Sequence, residues 1–117
     1  MYFRFENLET WKLARKFTSE IYILSSKFPK EEQFGLTSQI RRAAVSVTLN
    51  IAEGADRKSD KEFVRFLRIS ITSLEEVVTA LYITIDQNFI NQEEFDYLYK
   101  SANILASKIN SLIKKLL

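Results

Sequence analysis

The sequence has no cysteine and no histidine, and only two glycines and one proline in 117 residues. Without cysteine there is no disulfide staple, no thiolate metal site and no thiol chemistry. The same absence is compatible with a reducing cytosol, and a cytoplasmic location is the expectation. Without histidine the commonest general base and a frequent zinc ligand are missing, and the Glu-x-x-His pairs of a ferritin-like di-iron bundle cannot form. No catalytic, cofactor-binding or metal residue is assigned, and the chain reads as a non-enzyme. So little glycine and proline leaves few tight turns, which favours long helices over sandwiches or dinucleotide-binding folds. No run approaches the roughly 18 apolar residues of a membrane span. The opening MYFRFENLETWK carries Arg4 and Glu6 and lacks the long apolar run of a signal peptide.

What is present is helical periodicity, in four segments. Over residues 8–27, Ala14, Phe17, Ile21, Leu24 and Phe28 recur at 3-4 spacing, with Asn7 predicted as N-cap and Pro29 blocking continuation. Over residues 36–55 the apolar positions are Leu36, Ile40, Ala43, Ala44, Val47 and Ile51, and Gly54 is the predicted left-handed stop. Ser59 and Glu62 are spaced as a capping box opening a third helix over residues 60–87, with a heptad at Val64, Leu67, Ile71, Leu74, Val78, Leu81 and Ile85. After a turn at residues 88–91, Asn91 and Glu94 cap a fourth helix carrying Phe95, Leu98, Ala102, Leu105, Ile109, Leu112 and Leu116. Lys114 and Lys115 suit the dipole of its last turn. The expected fold is all-α: one domain over residues 1–117, an antiparallel up-down-up-down four-helix bundle.

Several apolar residues lie off these stripes: Leu13 and Ile23, Val45 and Leu49, then Phe63, Phe66, Val77 and Tyr82. They either widen the core face or form a second buried surface between subunits, so a homo-oligomer is expected.

Two constellations of polar residues stand out. Arg42, Ser46, Asn50 and Glu53, spaced four, four and three apart, share one side of the second helix. Such a stripe either fixes helix register or an inter-subunit contact, as polar core positions do in coiled coils, or lines a binding pocket. Arg41, Arg42, Arg57, Lys58, Lys61, Arg65 and Arg68 cluster around the second-to-third helix turn, with Lys61, Arg65 and Arg68 at i, i+4 and i+7. The candidate phosphate contacts are Arg41, Arg57, Lys58, Lys61, Arg65 and Arg68. Glu53, Asp56, Asp60 and Glu62 are interleaved, so seven basic residues meet four acidic ones and a solvated, salt-bridged face is the competing reading. A carboxylate metal site from Glu53, Glu75 and Glu76 has little to recommend it without histidine. Tyr2, Phe3, Phe5 and Trp11 could stack bases, although their context favours packing.

The chain resembles the four-helix bundle proteins encoded in intervening sequences of bacterial 23S ribosomal RNA genes, also called S23 ribosomal-like proteins. The resemblance spans nearly the whole length. Its residues are Leu8-x-x-Trp11-x-x-Ala14, Phe28-Pro29, Gly35-Leu36-x-x-Gln39, Arg41-Arg42-Ala43, Ser46, Asn50-Ile51-Ala52-Glu53-Gly54, Arg57, Phe63-x-x-Phe66-Leu67 and Ser73-Leu74-x-Glu76. Thr72 departs from the pattern, since the family often has glycine before that serine. The resemblance implies an up-down-up-down bundle assembling as a ring-like homopentamer. It further implies kinship with accessory proteins of diversity-generating retroelements, basic pentameric barrels that bind nucleic acid and a reverse transcriptase. It carries over no catalytic residue, and it casts Arg42, Ser46, Asn50 and Glu53 as structural or interfacial. RNA or DNA is the implied partner, with a protein-binding adaptor as the alternative.

Overall fold

The computed structural model describes residues 2–117. Four helices follow one another: α1 Glu9–Ser25, α2 Leu36–Ala55, α3 Asp60–Asp86 and α4 Gln92–Leu116. Short 3-10 turns at Arg4–Asn7 and Lys30–Glu32 precede α1 and α2. The molecule is a rod of 43 × 22 × 22 Å. Pairings across the helices fix their direction. Thr18 meets Thr48 while Arg41 meets Ser25, so α1 and α2 run opposite ways. Ser46 meets Ser73 while Gly54 faces Phe63 and Phe66, so α2 and α3 do the same. Tyr97 meets Glu20 while Glu94 meets Lys27, closing α4 antiparallel onto α1. The buried apolar side chains of all four helices form one continuous core. Among the described residues every buried side-chain polar atom has a hydrogen-bond partner.

The helix ends show where local sequence acts. Asn91 accepts from the Glu94 amide at 2.8 Å while the Glu94 carboxylate accepts from the Asn91 amide at 2.9 Å, a complete capping box. Ser59 supplies only half of the expected one. Its hydroxyl accepts from the Glu62 amide at 3.2 Å, but the Glu62 carboxylate is turned to Arg65. Asn7 is not the N-cap of α1; it lies in the preceding 3-10 turn, and Leu8 occupies the cap position with no side-chain bond. The α3 helix stops in a Schellman arrangement: Asn88 takes a left-handed φ of 62°, the Phe89 amide reaches the Thr84 carbonyl and the Asn88 amide reaches that of Ile85. Asparagine tolerates that backbone conformation better than most residues.

Gly54 corrects the expectation of a left-handed stop. It is buried inside α2, which continues to Ala55, and its φ is not positive. Its role is close approach. A Cβ added there would sit 2.8 Å from the Phe66 Cβ and 2.9 Å from the Phe63 Cδ1. The phase of the α3 stripe also shifts. Leu67, Ser70, Val77, Leu81 and Thr84 are fully buried, whereas Ile71, Val78 and Ile85 are only partly covered. Phe63 and Val77, two of the supposedly spare apolar residues, belong to the core. Leu13 packs against it from the side. Leu49, Ile23 and Tyr82 remain exposed, at 60%, 73% and 50%. Thr72 lies exposed, its hydroxyl bonded to the Arg68 carbonyl, in the groove between α2 and α3.

Candidate nucleic-acid interface

The polar stripe of α2 is only partly a network. Ser46 Oγ lies 2.8 Å from Ser73 Oγ, and Asn50 Nδ2 donates to the Ser46 carbonyl at 2.8 Å and to its hydroxyl at 3.1 Å. One residue outside the stripe extends this seam: Ser70, fully buried, donates to the Val47 carbonyl at 2.9 Å. Small hydroxyl side chains let two backbones approach while satisfying each other, and here they mark the α2–α3 seam. Arg42 and Glu53 do not join. Glu53 is exposed and faces Arg57 at 3.5 Å. Arg42 is exposed and lines a surface groove with Gln39, Thr72, Glu75 and Glu76. The three glutamates weighed as a metal site are therefore split between the turn and this groove. Among the described residues no group of acidic side chains is placed to hold a metal ion.

The basic cluster divides as well. Arg41 is drawn away from the turn, since at 1.5 Å per residue it stands about 21 Å along α2 from Ala55. Its guanidinium closes the C-terminal end of α1, donating to Ser25 Oγ at 2.7 Å and to the Tyr22 carbonyl at 3.2 Å, and stacks on the Tyr22 ring. Arg57 and Arg65 flank the half-buried Phe66 ring, 4.8 and 4.7 Å from its centroid, and each faces a carboxylate, Glu53 and Glu62 respectively. Such exposed pairs contribute little to stability, but they hold both guanidiniums at the ring. Lys58, Lys61 and Arg68 are exposed, and among the described residues none is within salt-bridge reach of an acid. Phe5 and Trp11 pack against the core, while Tyr2 and Phe3 stay exposed beside them.

Folding adds basic residues that sequence adjacency did not reveal. The α2–α3 turn, the start of α1 and the end of α4 share one end of the rod. Divided at the level of the Ser46–Ser73 and Glu20–Tyr97 contacts, that end holds four basic residues before mid-α1 (Arg4, Lys12, Arg15, Lys16), five around the turn (Arg57, Lys58, Lys61, Arg65, Arg68) and four on α4 (Lys100, Lys108, Lys114, Lys115). Six acids oppose these thirteen: Glu6, Glu9, Glu53, Asp56, Asp60 and Glu62. The other end keeps the remaining four basic and nine acidic residues. A net +2 thus separates into +7 at one end and −5 at the other. The signal in the sequence was the stretch after Asp96, with four lysines and no acid.

The fold and its surface define the chain as a small all-helical bundle whose charge is segregated along its length. The chain belongs to the 23S rRNA-intervening sequence protein family, whose model matches residues 6–111. A solved structure of a protein of unknown function from the S23 ribosomal protein family of Bacteroides thetaiotaomicron superposes with a TM-score of 0.83 at 22% identity, covering 90% of this chain and 98% of that one. At that identity it supports the fold alone. No curated protein matches the chain. Among the described residues no helix is long and apolar enough to cross a membrane.

Proposed function

We propose that this protein is a non-enzymatic, cytoplasmic homo-oligomer that binds RNA or DNA through the basic end of its bundle, with Arg57, Lys58, Lys61, Arg65 and Arg68 as phosphate contacts. The observation that carries this reading is the separation of charge along the rod. A phosphate backbone is attracted to a surface where basic residues outnumber acidic ones, and its release of counterions makes such binding steeply salt-dependent. Arg41, committed to the end of α1, is not among the contacts. Leu49 on α2 and Ile69 on α3 stay exposed, at 60% and 38%, and support a contact between copies. The family resemblance points to five of them. The same apolar face supports the second reading, an adaptor bundle that binds a protein partner and no nucleic acid.

Sedimentation of the protein, alone and with a labelled, structured ribosomal RNA fragment, separates the two. The expected result is a pentamer that carries RNA at low salt, releases it as salt rises, and fails to carry it when Lys61, Arg65 and Arg68 are all changed to Glu. A monomer refutes the assembly. Absent or salt-insensitive RNA binding rejects the nucleic-acid reading in favour of the adaptor.

A further inference from the structure

The α1–α4 side of the rod carries a second group of lysines unpaired among the described residues, on a different face from the α2–α3 turn. Here Lys16 and Lys100 line one groove of about 320 Å³, with Leu13, Phe17 and the half-exposed Ile104 among its walls. Lys108 stands one turn beyond Ile104 and so continues the same side of α4. Lys16, Lys100 and Lys108 are exposed, and among the described residues none is within salt-bridge reach of an acid. The groove then changes sign. Glu20 and Tyr97 line its boundary, and beyond them it continues between Glu93, Glu94, Ile23, Leu24 and Lys27, whose ammonium is paired to Glu94.

We propose that the basic half of this furrow is a binding site for the backbone of a single-stranded nucleic acid, with Lys16, Lys100 and Lys108 contacting successive phosphates. This rests on the nucleic-acid reading above and adds both a surface and a strand type. The furrow is a shallow groove of about 320 Å³ between two packed helices, room for the sugar and base of one strand and not for a duplex. Its apolar walls accept the faces of sugars and bases, while flanking cations follow the phosphates, the usual division of labour in single-strand channels. The acidic half repels a phosphate backbone, so the strand ends or turns away at Glu20. From Lys100 to Lys115 the available track is about 22 Å at the helical rise of 1.5 Å per residue.

Fluorescence anisotropy with a labelled single-stranded RNA, and with the matching duplex, tests the assignment. The variants are Lys100→Glu/Lys108→Glu and, separately, Lys61→Glu/Arg68→Glu; circular dichroism checks that each remains helical. The furrow variant is expected to lose single-strand affinity about tenfold or more. Its salt slope should fall by about 1.4, from two contacts at about 0.7 each, with duplex binding less affected. Unchanged single-strand affinity and slope in that variant overturn the furrow assignment. If the Lys61/Arg68 variant alone loses binding, the wider nucleic-acid reading still stands. If the wild-type protein binds neither RNA, both fall.

Discussion

Between α2 and α3 the residues that meet are Gly54, Ser46, Ser70 and Ser73, and a buried hydroxyl crosses the seam to a backbone carbonyl. Between α1 and α4 the crossing polar contacts are Lys27 with Glu94 and Tyr97 with Glu20, all at the surface. The first pair is closed by small side chains that leave no room for change. The second is bridged by long side chains over an open furrow. The contrast separates two kinds of seam within one bundle: one is set by close backbone approach, and the other by long side chains at the surface.

The largest test of that contrast is Gly54→Val. Two more carbons would enter a space where even a Cβ sits 2.8 Å from Phe66. Overpacking of this kind costs about 1–3 kcal/mol, and here the upper end is expected because the neighbouring atoms belong to Cβ and ring positions that cannot swing away. Urea unfolding measures it; a stability equal to wild type would mean that the seam is not tightly set. Next comes a paired comparison. Ser70→Ala removes a buried bond to the Val47 carbonyl and should cost about 1 kcal/mol. Lys27→Ala removes a partly exposed ion pair and should cost less, within the range of about 0–1 kcal/mol for such pairs. The reverse order in thermal unfolding would erase the distinction between the seams.

The smallest effect concerns Tyr97. The hydrogen bond to the Glu20 carboxylate, and then its negative charge, hold the phenol above its ordinary value. Because the folded-state value is raised, the contact is fully present below the ordinary tyrosine range, about pH 10. It is lost as pH rises through the raised value. Glu20→Ala should bring the Tyr97 titration down, read by ultraviolet absorbance at alkaline pH, while leaving α2–α3 stability unchanged. A tyrosine titration identical in the variant and wild type would remove this bond from the α1–α4 seam.

The helices were legible because their burial follows a period, but the phase of that period was not. Ile71, Val78 and Ile85 completed a regular heptad, yet Ser70, Val77 and Thr84 take the deepest positions. Hydrophobicity alone does not reveal a serine buried because two backbones come close enough for its hydroxyl to be satisfied. Gly54 was visible but ambiguous, since a helix stop and a close crossing both call for glycine; only the arrival of Phe63 and Phe66 from the next helix decides between them. The interface was the least legible part. Arg41 and Arg42 precede the basic run by one helix length, and helical rise carries them toward the opposite end of the rod. Lys12 and Lys108 are nearly a hundred residues apart in sequence, and antiparallel packing brings them to the same end.

The α1–α4 seam also bears on how the chain folds. Every other helix pair joins consecutive elements, which can meet as local hairpins soon after each turn forms. Among the described residues α1 with α4 is the pair that joins elements far apart in sequence, so its contacts have the highest sequence separation in the bundle. Its crossing polar contacts lie at the surface, so sub-global opening is expected first along this seam, in the manner of the low-stability units of other small proteins. A ligand seated in the furrow would slow that opening.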